Sequence, residues 1–185
     1  MNVKLLAKSF KENGNIVTLS QHTKDILLAF ENIKNKIPQE LHIPIKIAIL
    51  YHDFGKVIPK FQIGTLGNKN YKPFDIIYEI PHSIFSIFWI DEEEVKRKIN
   101  NDENLFQFII SAVAYHHWRE NFENIIHNRN EKLKKFIDKV LNEWKDELEA
   151  NLKNEFQNFP IPELQELVID IKLNKERLTE VREKT

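Results

Sequence analysis

Six residues in this chain have the side chains needed to hold divalent cations: His22, His52, Asp53, His82, His116 and His117. Imidazole with carboxylate and no thiolate suits iron, manganese, nickel, cobalt or zinc better than magnesium or calcium, which prefer all-oxygen shells. A lone histidine on an apolar helix face is more often a hydrogen-bonded core residue than a ligand. Five imidazoles beside one carboxylate are harder to explain that way, because they offer one another few compatible donors in a dry interior. A shared metal site resolves the conflict. The ligand count exceeds the needs of one tetrahedral ion, whereas two ions about 3.5–4 Å apart, bridged by Asp53, would use it fully.

These residues fall on elements whose patterning would turn them inward. The apolar run Ile45 to Leu50 follows Pro44, which suits a first helical turn, and precedes Gly55, which suits the left-handed position past a helix end. His52 and Asp53 are therefore expected on the last turn of a buried helix, at the negative pole of its dipole, where a cation is favoured. Ser20 is expected to cap a helix over about Gln21 to Lys36 with an apolar stripe of Ile26, Phe30, Ile33 and Ile37, which turns His22 inward. Pro81 is expected to open a helix carrying His82. Asp102 is expected to cap one running to about His117, with Phe106, Ile109, Val113 and the paired histidines on one face. A short exposed helix is expected over Asp91 to Ile99, a long amphipathic one over Asn130 to about Asn154, and a last one around Leu164 to Leu178. Strand-like alternation is weak throughout, so the expected fold is all-α. Residues 57–79, rich in glycine and asparagine, read as a long linker-like loop, locally basic through Lys60, Lys69 and Lys72. His42 and His127 read as surface residues in loops.

Composition bounds the rest. At 185 residues the chain is expected to form a single domain with a sizeable core. Its 27 basic and 28 acidic residues nearly cancel, which excludes a globally basic nucleic-acid coat but not a local basic patch. With no cysteine, disulfides and thiolate metal sites are excluded. No apolar run approaches a signal-peptide core or a membrane span, so a soluble, cytoplasmic protein with no membrane partner is expected.

The order and spacing of these groups resemble a known family. His52-Asp53-Phe54-Gly55-Lys56 is similar to the signature of the HD superfamily of metal-dependent phosphohydrolases. The fuller pattern is His22 at a helix start, the motif running on to Pro59-Lys60-Phe61-Gln62, then Pro81-His82-Ser83 with Ser86, then Tyr115-His116-His117. It resembles the HD nuclease domain of the type I CRISPR effector nuclease-helicase, over about Leu19 to Trp118. That resemblance implies a compact HD-domain helical bundle that degrades single-stranded DNA by two-metal activation of water. Its partners would be a CRISPR helicase domain or subunit and an RNA-guided surveillance complex. By the same resemblance, His22, His52 and Asp53 would hold one divalent transition-metal ion (Fe, Mn, Ni or Co, with Zn or Mg as alternatives). Asp53, His82, His116 and His117 would hold the other. Asp53 and Lys56 would be catalytic, Lys56 steadying a phosphate oxygen. Lys60, Lys69, Lys72 and Arg119 would contact flanking phosphates. Phe61, Tyr71 or Trp118 would offer stacking surfaces, although core packing is the commoner role for each.

One departure stands out. The family pattern supplies a further aspartate to the first metal from a later helix, and its sequence context is missing here. Asp138, Asp146 and Asp170 all read as exposed or flanking. The expectation is that the chain stops before that ligand, as an excised domain would, or that Asp170 substitutes weakly, leaving the first metal loosely held. Two other readings stay open: an HD phosphohydrolase acting on a nucleotide or cyclic dinucleotide, and a catalytically inactive HD docking module. No Gly-Tyr-Pro follows the motif, which weighs against the signalling phosphodiesterases.

Overall fold

The computed structural model describes residues 4–8, 16–72, 80–117, 130–157, 159 and 171–174. Among them the regular structure is helical: α1 (Leu19–Ile33), α2 (His42–Tyr51), α3 (His82–Ile87), α4 (Glu92–Lys98), α5 (Glu103–Tyr115), α6 (Asn130–Glu143) and α7 (Lys145–Phe156). An isolated antiparallel bridge between Leu6 and Thr18 is the one extended pairing among the described residues. The fold is all-α, as expected.

Three helices make the centre. α2 and α3 each pack on α5, and α3 also packs on the 3-10 turn Phe54–Val57 that follows α2. Ile47, Leu50 and Tyr51 from α2 meet Ile84, Phe85 and Phe88 from α3 and Phe106, Ile109 and Val113 from α5, all buried. α1 lies against α2, and α7 closes against α1 and the 3-10 turn. Asp102 caps α5, its carboxylate accepting from the backbone of Asn104 and Leu105 at 2.9 and 3.0 Å. α4 begins Glu92-Glu93-Glu94 and ends Lys96-Arg97-Lys98, matching charge to both ends of its dipole.

Several local expectations are corrected. α1 starts at Leu19 and is capped by Thr18 rather than Ser20; Thr18 Oγ1 accepts from the Gln21 N–H at 3.3 Å. Ser20 instead meets Glu155 of α7, whose carboxylate accepts from the Ser20 N–H and hydroxyl at 3.1 and 2.5 Å. The buried stripe of α1 is Leu19, Thr23, Leu27 and Phe30, while Ile33 is half-exposed. The helix expected over Asn130 to Asn154 is two helices, broken at Trp144, whose backbone (φ −131°, ψ −8°) leaves the helical region. Residues 57–79 are not simply a loop. Val57 ends the 3-10 turn and Lys60–Thr65 forms a π-helix, with Val57, Ile58, Gln62, Leu66 and Tyr71 buried. Residues 73–79 lie outside the described residues. His42 is not a loop residue: it opens α2, its Nε2 lies 3.0 Å from the carbonyls of Lys34 and Ile37, and its ring packs on Phe30. Residues 171–174 have no helical structure; Ile171 and Leu173 are buried and Asn174 N–H donates to Phe88 O at 2.6 Å. His127, and the helix expected from Leu164 up to residue 170, lie outside the described residues.

Candidate metal centre

Each of the six residues sits at a helix end, and the packing of α1, α2, α3 and α5 points those ends at one another. His22 is in the first turn of α1 and His82 is the first residue of α3. His52 and His116 take the same place after α2 and α5, each the C-cap following an apolar run that ends in tyrosine. Each uses the same local device. The His52 Nδ1 lies 2.6 Å from Ile49 O and the His116 Nδ1 lies 2.7 Å from Val113 O, so a last-turn carbonyl of each helix takes the ring proton. That contact fixes the tautomer and leaves Nε2 with a lone pair aimed into the cluster.

Asp53 is the hub. Its carboxylate is 2% exposed, and its two oxygens face different partners. Oδ2 lies 3.5 Å from His22 Nε2 and 3.2 Å from His52 Nε2; Oδ1 lies 3.3 Å from His82 Nε2 and 3.4 Å from His116 Nε2. The sequence residues therefore fall into two groups whose ligand atoms lie within 4.8 Å of one another: His22, His52 and Asp53, and Asp53, His82, His116 and His117. His117 is exposed and forms the rim, its ring 4.3 Å from that of His116 and 5.0 Å from that of His82, centroid to centroid.

The polar atoms of this cluster do not satisfy one another. Asp53 Oδ1, His82 Nε2 and His116 Nε2 are buried without a hydrogen-bond partner, a costly arrangement for a carboxylate and two imidazoles. Acceptors converging on one point fit a divalent cation, and the donor set of imidazole and carboxylate suits a transition metal. Burial pushes the His22 and His82 imidazoles down to about 4, so both are neutral and able to ligate at pH 7. Burial alone would raise the Asp53 carboxyl; the crowding imidazoles of His116, His52 and His82 outweigh it and hold the group well below the usual carboxylate range.

Two expectations about the surroundings change. Lys56, expected to steady a phosphate oxygen, is buried. Its ammonium is buried, donating to Asp53 Oδ2 at 2.7 Å and to Ala7 O at 3.1 Å, so its charge acts on the aspartate. Tyr71 is not a stacking surface: it is buried, its hydroxyl donating to Val57 O at 2.6 Å and accepting from Asn151 Nδ2 at 3.2 Å. Phe61 is partly buried with its ring 4.6 Å from that of His82. Lys72 pairs with Glu147 at 3.2 Å, while Lys60 and Lys69 are exposed. Trp118, Arg119 and Asp170 lie outside the described residues. Asp146 is exposed, and Asp138 lines a separate cavity of about 420 Å³ with Asp91, Lys145 and Lys172.

Sequence reasoning missed Ser86 as a positioning group. Its buried hydroxyl accepts from Gly55 N–H at 2.8 Å and lies 2.7 Å from His52 O and 2.9 Å from His82 O. It thereby stitches α3 to the turn that carries Asp53. Gly55 permits that approach: a Cβ there would lie 1.9 Å from His82 O. Its role is space, not the left-handed backbone expected of it; Gly67 is the glycine with positive φ among the described residues. The sequence signal was present in the Ser83/Ser86 spacing, but nothing in it said which backbone the hydroxyls would meet.

A helical domain that gathers histidines from four helix ends around one buried aspartate defines an HD-type, metal-binding hydrolase class. Residues 7–176 match the family model described as Cas3, HD domain, and the chain belongs to that family, as a CRISPR-associated HD-type phosphohydrolase/nuclease. Comparison with curated proteins and with solved structures finds no significant match. Among the described residues no helix is long and apolar enough to cross a membrane.

Proposed function

We propose that this domain is a metal-dependent nuclease that cleaves the phosphodiester backbone of single-stranded DNA in type I CRISPR interference. Its partners are a CRISPR helicase domain or subunit and the RNA-guided complex that exposes the strand. The observation that carries the reading is the division of labour on Asp53, whose Oδ2 faces His22 and His52 while Oδ1 faces His82 and His116. His22, His52 and Asp53 would hold one divalent ion and Asp53, His82, His116 and His117 another, and such ions would supply an activated water and stabilisation of developing negative charge.

The chain's own residues supply orientation and charge. The Ile49 and Val113 carbonyls hold the His52 and His116 rings with Nε2 inward. Lys56 donates to one Asp53 oxygen and so restrains how the carboxylate turns. His117, the exposed ring among the six cluster residues, is the one most open to an incoming phosphate. Lys60 and Lys69, on the π-helix and the segment after it, offer the positive charge for flanking phosphates.

The test is incubation of the protein with linear single-stranded DNA and, separately, with mononucleotides, each with manganese, nickel, cobalt or iron, beside an Asp53→Ala control. Metal-dependent loss of the DNA that the variant abolishes is the expected result. Hydrolysis of mononucleotide alone would assign a nucleotide phosphohydrolase instead. A protein that binds no transition metal on titration would leave only the docking-module reading.

A further inference from the structure

The motif pattern includes the pair Phe61-Gln62, and the side-chain hydrogen bonds of Gln62 go to Leu6, Lys56 and Asn68 rather than to the six cluster residues. Its amide is fully buried and fully used. Oε1 accepts from Leu6 N–H at 2.9 Å and from Asn68 Nδ2 at 2.9 Å. Nε2 donates to Leu6 O at 2.9 Å and to Lys56 O at 2.8 Å. Gln62 thus bonds both backbone groups of Leu6, as a neighbouring strand would, and pins that residue beside the backbone of Lys56. The next carbonyl along, that of Ala7, then meets the Lys56 ammonium at 3.1 Å, and the same ammonium reaches Asp53 Oδ2 at 2.7 Å.

We propose that Gln62 is a positioning residue for the metal centre, acting through Lys56. By fixing Leu6 and Lys56 in register it makes the Ala7 carbonyl the second anchor of the Lys56 ammonium, and so sets the rotation of the Asp53 carboxylate. A lysine has four rotatable side-chain bonds, and in a buried site one acceptor does not define where its ammonium sits. Two acceptors constrain it more closely. The segment 4–8, which carries no metal-binding residue, thereby becomes part of the centre's support. Partners that orient metal-binding groups are worth about 10- to 100-fold in affinity.

The inference rests on reading the cluster as a metal centre, and the experiment separates the two. Co²⁺ binding is followed by its visible absorption in the wild type, Gln62→Met, Lys56→Met and the double variant, all well below their melting temperatures, with circular dichroism to check folding. The expected result is that Gln62→Met weakens Co²⁺ binding about tenfold and alters the spectrum. The same change made on the Lys56→Met background should have no effect on affinity. Gln62→Glu keeps the acceptor atom for Leu6 N–H and Asn68 but cannot donate to Leu6 O or Lys56 O; it serves as the second variant should Gln62→Met fail to fold, and the same weakening is expected. Equal weakening on both backgrounds, or unchanged affinity with only a lower melting temperature, would overturn the proposal. A wild-type protein that binds no Co²⁺ would overturn the metal-centre reading itself.

Discussion

Removing the Asp53 side chain strips Lys56 of its charged partner while the lysine stays buried, and leaves four histidines with nothing to share. Asp53→Ala is therefore expected to do two things at once: abolish transition-metal binding, read by titration, and lower stability by about 3 kcal/mol, read by urea unfolding of the metal-free protein. Gly55 and Ser86 act at the same scale but on geometry alone. A methyl group at Gly55 would meet the His82 carbonyl oxygen at 1.9 Å and its carbon at 2.7 Å, both backbone atoms that cannot swing aside. Gly55→Ala should cost at least ~2 kcal/mol and displace α3 from the Asp53 turn. Ser86→Ala leaves the buried Gly55 N–H unpaired, which should cost about 1–3 kcal/mol and weaken metal binding together with stability.

At the scale of elements, the centre exists because helices end where they do. α2 and α5 each stop one residue before a histidine, and their unsatisfied last-turn carbonyls orient those rings; α1 carries its histidine in the first turn and α3 begins with its own. Helix ends away from the cluster should be energetically separable from it. Asp102→Ala removes the cap of α5 at the end opposite His116, and is expected to cost about 1 kcal/mol in chemical denaturation while leaving metal affinity unchanged. Glu155 is a more distant support. It ties α7 to the start of α1 through Ser20 and to the N-terminal segment through Leu5 N–H at 3.1 Å.

For the whole molecule, the neutral buried histidines make stability depend on pH. His22 and His82 are held near 4, against 6.5 when unfolded, chiefly by burial. Between those values the unfolded chain binds more protons than the folded one, so folding stability is fully present above about pH 6.5 and declines as pH falls towards 4. His22 is partly exposed and contributes the smaller share. Metal-free protein should lose on the order of 3 kcal/mol between pH 7 and pH 4, measured by urea unfolding at stepped pH. A flat profile across that window would contradict the buried, neutral state of these rings.

The all-α class and the convergence of these six residues were legible in the sequence because both rest on local chemistry: helical spacing of apolar residues, and histidines beside an aspartate too numerous to satisfy one another in a core. Boundaries were less legible. Thr18 rather than Ser20 caps α1 because Glu155, far along the chain, claims Ser20, and no local pattern reports such a partner. Lys56 read as a group that would steady a phosphate oxygen. Its contacts with the Ala7 carbonyl and Asp53 Oδ2 come from the tertiary structure, 49 residues separating Lys56 from Ala7. Which oxygen of Asp53 faces which histidines was likewise decided by tertiary structure. It depends on the angles at which four helix ends meet, and those are set by the shapes of core side chains rather than by the spacing of the ligands along the chain.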